Sequence, residues 1–138
     1  MNSLSTSTGK TILLVEDNAL NRELASDLLV AAGLRVLIAT DAETALDLAA
    51  HELMDLILMD VSLPRMDGLE ATQVLKNNPA TAHLPVIALT AHAMKGDRER
   101  ILAAGCDGYL TKPIDTRTFA ESVFRFLPSA TPHPSPKS

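Results

Sequence analysis

The chain has no tryptophan, one tyrosine (Tyr109) and one cysteine (Cys106). With aromatic residues at 3%, any interior has to be built from Leu, Ile, Val and Ala. A single cysteine makes no internal disulfide, which fits a reducing compartment. No apolar run approaches the roughly 20 residues of a membrane span, and the start, MNSLSTSTGK, lacks the apolar stretch of a secretory signal. Positive charge is also short: 12 Lys and Arg stand against 17 Asp and Glu, a net charge of -5. That excludes the clustered basic footprint of a nucleic-acid binder. These absences leave a cytoplasmic protein with neither nucleic acid nor membrane as partner.

What is present is 138 residues, 46% of them hydrophobic, which is one domain's worth. The Ser/Thr-rich residues 1–9 read as a disordered leader. Residues 128–138, PSATPHPSPKS, read as a disordered tail, because prolines and small polar residues cannot bury enough surface to order a chain. The folded domain is expected over 10–127.

Inside those bounds, short apolar runs alternate with helical periodicity. TILLV (11–15), LRVLIA (34–39), DLILM (55–59), PVIAL (85–89) and DGYL (107–110) read as strands. The first helix, 19–32, sets Leu20, Leu24 and Leu28 at a four-residue interval and stops at Gly33. Asp41 caps a second helix, 42–51, with Ala42, Ala45, Leu46 and Ala49 inward. A third helix follows Asp67-Gly68, where Asp67 opens a turn, and ends before Asn78-Pro79. A fourth covers about 94–104, and Asp115 caps a fifth, with Phe119, Val123, Phe126 and Leu127 on one face. Strict strand–helix alternation with continuously apolar strands implies a doubly wound α/β fold. It has a five-stranded parallel sheet in the order 2-1-3-4-5, with helices on both faces.

In such a sheet a ligand site lies beyond the carboxyl ends of the strands, at the point where the strand order reverses. There the sequence sets Glu16 and Asp17 after strand one, Asp60 after strand three, Thr90 after strand four, and Thr111, Lys112 and Pro113 after strand five. Three carboxylates gathered together raise at least one pKa unless a cation answers them. Lys112 and a divalent ion are the available cations. An all-oxygen set with waters suits Mg²⁺ better than an enclosed Ca²⁺ cage, and no cysteine or His pair offers a zinc site. A hard cation, a lysine and a hydroxyl beside an aspartate form apparatus for phosphoryl transfer, with Asp60 as acceptor.

Four segments carry a family resemblance, each at a strand end: VEDN (15–18), LMDVSLPRMDG (58–68), ALTAHA (88–93) and YLTKPID (109–115). From Lys10 to about Leu127 the chain resembles the receiver domain of two-component response regulators, which is flavodoxin-like in fold. It is most similar to free-standing single-domain regulators of the cell-fate type. The resemblance implies that Asp60 takes a phosphoryl group from a phosphohistidine of a histidine kinase or phosphotransfer protein. It implies Mg²⁺ held by Glu16, Asp17, Asp60 and the backbone carbonyl of Ser62, with Lys112 and the Thr90 hydroxyl on the phosphoryl oxygens. Tyr109 would turn inward with Thr90, and Lys112-Pro113 would be a cis peptide. Ser62 and His92 occupy the positions that set the phosphoryl lifetime. The output would be a changed protein-binding face built by helix four, strand five and helix five.

The competing readings are weaker. A phosphatase of the haloacid dehalogenase type needs a second aspartate two residues after the nucleophile, where this chain has Ser62. Nucleotide binding lacks a Gly-rich loop after strand one. The expectation is a phosphoryl acceptor rather than a turnover enzyme.

Overall fold

The apolar runs do become strands. In the computed structural model, which describes residues 9–91 and 93–128, they are β1 (Thr11–Val15), β2 (Arg35–Ala39), β3 (Leu56–Asp60), β4 (Val86–Thr90) and β5 (Gly108–Thr111). The helices are α1 (Ala19–Ala31), α2 (Ala42–His51), α3 (Gly68–Lys76), α4 (Lys95–Ala103) and α5 (Phe119–Phe126). All pairings are parallel and the order across the sheet is β2-β1-β3-β4-β5, as expected.

Both β3 and β4 are buried at every residue, which is why they are apolar without alternation. Successive side chains still point to opposite faces, and so two cores form. Ile12, Leu14, Leu58, Ile87 and Leu89 pack under α1 and α5, against Ala25, Leu29, Phe119 and Val123. Leu13, Val15, Ile57, Met59 and Val86 pack on the other side with Ala45, Ala71, Leu75 and Ile101. Each fully buried Leu or Ile contributes about 1.5–3 kcal/mol, so the sheet is the rigid part of the molecule.

Register then decides what meets at its carboxyl end. Val15 lies level with Met59, which brings the following residues, Glu16 and Asp60, side by side. Thr90 lies level with Thr111, placing Lys112 one step beyond.

Two helix expectations need correction. Of Leu20, Leu24 and Leu28 only Leu28 packs against the core, half-buried; Leu20 and Leu24 are 78% and 37% exposed, and Ala25 and Leu29 are the buried residues of α1. A one-residue shift rotates a helix face by about 100°. The chosen face is the one whose small residue, Ala25, lets the helix lie close on the sheet. Nor does Asp115 cap α5. That helix starts at Phe119 after Thr118, without a side-chain cap. A turn comes first: the Asp115 side chain accepts from the Arg117 N–H, and its carbonyl accepts from the N–H groups of Thr118 and Phe119. Asp41 does cap α2. Asp67, expected only to open a turn, caps α3 in a reciprocal box with Glu70.

Gly68 at the start of α3 has a second role. A Cβ there would collide with the carbonyl oxygen of Asp60, backbone that cannot give way. Helix propensity favours alanine over glycine, so Gly68→Ala should stabilise if only local structure mattered. The expected outcome is the reverse: a loss of about 1–3 kcal/mol from overpacking, measured by urea denaturation.

Candidate functional site

The sheet delivers one acid as the last residue of β3 and another immediately after β1, and both are 1% exposed. Asp60 is tied on one oxygen: its Oδ1 accepts from the Ser62 N–H at 2.9 Å and from Lys112 Nζ at 3.0 Å. Lys112 is steered there by its own N–H, which donates to the Thr90 carbonyl at 2.8 Å. Its ammonium also lies 3.6 Å from Glu16 Oε1. The other oxygen of Glu16 accepts from the Asn18 N–H at 3.2 Å.

Glu16 Oε1 is buried with no hydrogen-bond partner among the described residues. An ionised carboxylate in that position is costly, and the group responds by titrating late. Burial, a hydrogen bond to Asp60 and the Asp60 charge push its pKa up to about 7, against the opposing pull of the Asn18 N–H and Lys112. Near neutral pH, therefore, Glu16 spends much of its time protonated, donating to Asp60 a hydrogen bond that the ionised form lacks.

Asp17 completes the group from the exposed side. Oxygens of Glu16, Asp17 and Asp60 lie within 4.8 Å of one another. Three hard oxygen donors, one of them unpartnered and buried, fit a small divalent cation open to water on one side. Thr90, 5% exposed, ends β4, and half-buried Tyr109 sits on β5 level with Ala88 and packs against the core. The Lys112–Pro113 peptide is cis. Geometry thus gathers Glu16, Asp17, Asp60, Ser62 and Lys112 at one place, and sets Thr90 and Tyr109 on the two adjoining strands. His92 lies outside the described residues.

Two basic residues escaped the sequence reading. Arg22, one turn into α1, donates from Nη1 to the carbonyl oxygens of Glu16 at 3.2 Å and Asp17 at 3.3 Å. Arg65, in the loop after β3, adopts φ 62° and reaches Asp41 at 3.4 Å and Glu43 at 3.5 Å. Neither contact is written in side-chain patterning, because one partner is backbone and the other depends on a left-handed loop residue.

A profile of the response regulator receiver domain matches residues 12–124. The polar-differentiation response regulator DivK of Brucella anthropi is 46% identical over 121 residues, covering 88% of this chain and 98% of that protein. DivK of Brucella ovis is equally similar over the same span. Among solved structures, the chemotaxis protein CheY4 of Vibrio cholerae superposes with a TM-score of 0.82 at 28% identity, over 87% of this chain and 100% of that one. The receiver domain of a sensor histidine kinase from Pseudomonas aeruginosa PAO1 matches at TM-score 0.79 and 39% identity, over 86% of this chain and 98% of that one. It carries a magnesium ion in its active-site cleft.

The displaced carboxyl of Glu16 has a consequence for stability. Its folded pKa of about 7 exceeds the ordinary 4.5, so between those values the native state holds a proton that the unfolded chain has released. The contribution is complete below pH 4.5 and is lost as pH rises to 7, with little further change above. In metal-free protein this should remove about 2–3 kcal/mol, read by urea denaturation at pH 5 and pH 7.5. Glu16→Gln should flatten that decline, and millimolar Mg²⁺ should restore stability at the higher pH. A wild-type decline no steeper than that of the glutamine variant would contradict the assignment.

Proposed function

We infer the activity from one premise: the chain belongs to the response regulator receiver domain family, whose general function is phosphoryl acceptance by an aspartate with Mg²⁺. In this chain the acceptor is Asp60. One observation carries the reading: a carboxylate on the last residue of a wholly buried strand, 3.0 Å from Lys112, with two further acids beside it.

Asp60 Oδ1 is occupied by Ser62 and Lys112, which leaves Oδ2 as the nucleophile. The Oδ2–phosphorus bond forms as the nitrogen–phosphorus bond of a partner's phosphohistidine breaks, and the imidazole leaves with the electron pair. The strand fixes the attacking atom, so little reorganisation is needed. Glu16, Asp17, Asp60 and the Ser62 carbonyl would hold a magnesium ion, which would supply charge neutralisation for the transferring group. Lys112 exchanges part of its contact with Asp60 for a phosphoryl oxygen, and the Thr90 hydroxyl donates to another.

Drawing Thr90 inward leaves space that Tyr109, on the neighbouring strand, follows into. The face of α4, β5 and α5 then changes its population of states. That face is where a downstream protein reads the signal, with Met94 just before α4 76% exposed and Leu102 in α4 54% exposed. Phosphodonors are a histidine kinase or a histidine phosphotransfer protein; nucleic acid and membrane have no role. Residues 10–127 are the working unit, and the relay is cytoplasmic; the leader and tail expected from the sequence lie, but for residues 9 and 128, outside the described residues. Among the described residues no helix is long and apolar enough to cross a membrane. Turnover is not part of the function, because Ser62 stands where a hydrolytic acid would be needed.

Incubation with Mg²⁺ and acetyl phosphate, followed by intact-mass measurement, tests this. One phosphoryl group per chain is expected, none on Asp60→Asn and none with the metal chelated. A mass gain persisting in Asp60→Asn would misplace the acceptor, and sustained phosphate release over many turnovers would make the protein an enzyme instead.

A further inference from the structure

Strand backbone alternates, so carbonyls of consecutive residues point in opposite directions. Beyond β1 that rule is broken: one guanidinium nitrogen of Arg22 receives the carbonyls of both Glu16 and Asp17, at 3.2 and 3.3 Å. Two successive peptide planes are therefore turned toward the same donor. Those planes fix the direction in which the Asp17 side chain leaves the chain, and Asp17 is the exposed member of the acidic group. Glu16 needs less help, being buried and held by the Asn18 N–H.

Arg22 is itself well placed for this. Its backbone N–H donates to the Asn18 carbonyl, so the residue belongs to the first turn of α1. The Asn18 side chain caps that turn by accepting from Asn21. The half-buried arginine side chain runs back over the turn instead of outward into solvent.

We infer that Arg22 is a positioning residue for the cation site: its guanidinium clamps the kink after β1 and so aims the Asp17 carboxylate at the ion. The inference rests on the reading of Glu16, Asp17 and Asp60 as ligands of a divalent cation.

Electrostatics alone makes the opposite prediction, and this separates the two roles. Removing a positive charge beside three acids should tighten cation binding. Removing a clamp should weaken it, as loss of groups that orient ligands does by about 10–100-fold. Arg22→Lys sharpens the contrast. It keeps the charge but presents a point donor on a flexible stem instead of a planar fork.

Mg²⁺ titration of the full chain by isothermal calorimetry, alongside thermal unfolding of the metal-free protein, tests the inference. Arg22→Gln should raise the Mg²⁺ Kd about tenfold while shifting the metal-free Tm by no more than about 2 °C. Arg22→Lys should be weakened at least as much. Phosphorylation by acetyl phosphate should return to the wild-type rate at saturating Mg²⁺, because the loss lies in binding the ion. Unchanged or tighter Mg²⁺ binding in Arg22→Gln would overturn the inference, as would a Tm drop of many degrees, which marks a merely structural role. Wild-type protein that binds no Mg²⁺ would remove both the cation reading and this one, whereas wild-type binding with an unaffected variant removes this one alone.

Discussion

Two carboxylates, each 1% exposed, meet at the end of a hydrophobic sheet, and everything at that end of the molecule answers to them. The repulsion between Glu16 and Asp60 is built into the register, since Val15 pairs with Met59 and the next residues must come level. Moving either acid by one position would turn it into the core or away from its partner. Lys112 relieves part of the strain at 3.0 Å from Asp60 and 3.6 Å from Glu16. It does not relieve all of it, because Glu16 still takes up a proton near pH 7. The metal-free site is thus incompletely neutralised, and a divalent cation or an added proton can satisfy it.

Such a cluster lowers stability, and it persists only because the sheet beneath is strong enough to hold it. Strands β3 and β4 are buried throughout and clamped by helices on both faces. The polar end is in turn kept in place by backbone: the Ser62 N–H on Asp60, the Lys112 N–H on the Thr90 carbonyl, and the close approach of Gly68 to the Asp60 carbonyl. Asp60 and Lys112 are thus held by groups that cannot rearrange cheaply.

The strands, their order and the gathering of Glu16, Asp17, Asp60 and Lys112 could be read from the sequence because they depend on strong, local signals. A buried parallel strand must be apolar, so an acid at its tip stands out. Helix faces were less legible. Leu20 and Leu24 make a plausible apolar stripe, yet the sheet selects Ala25 and Leu29, because closeness of approach matters more than side-chain size there. Asp115 has the chemistry of a cap but sits four residues before the helix it was assigned to, across a turn that residue types do not disclose. Arg22 was invisible for a deeper reason. Its partners are carbonyls, which every residue has, and only the path of the chain turns two of them toward one guanidinium.

The helices are not equally anchored, and the difference bears on how a change at the site would travel. Helix α3 buries Gly68, Leu69, Ala71, Thr72 and Leu75, whereas Ile101 is the buried residue of α4, whose other positions are largely charged and wet. Segments with few buried apolar contacts have the smallest free energy of local rearrangement. Helix α4 follows β4, the strand that ends in Thr90, and packs beside β5, which carries Tyr109. A pull on Thr90, as proposed, would therefore meet a rigid strand on the β3 side and a loosely held helix on the other. Displacement would go to the weaker restraint, so on the proposed reading the same burial pattern that holds Asp60 would direct a response toward α4 and β5.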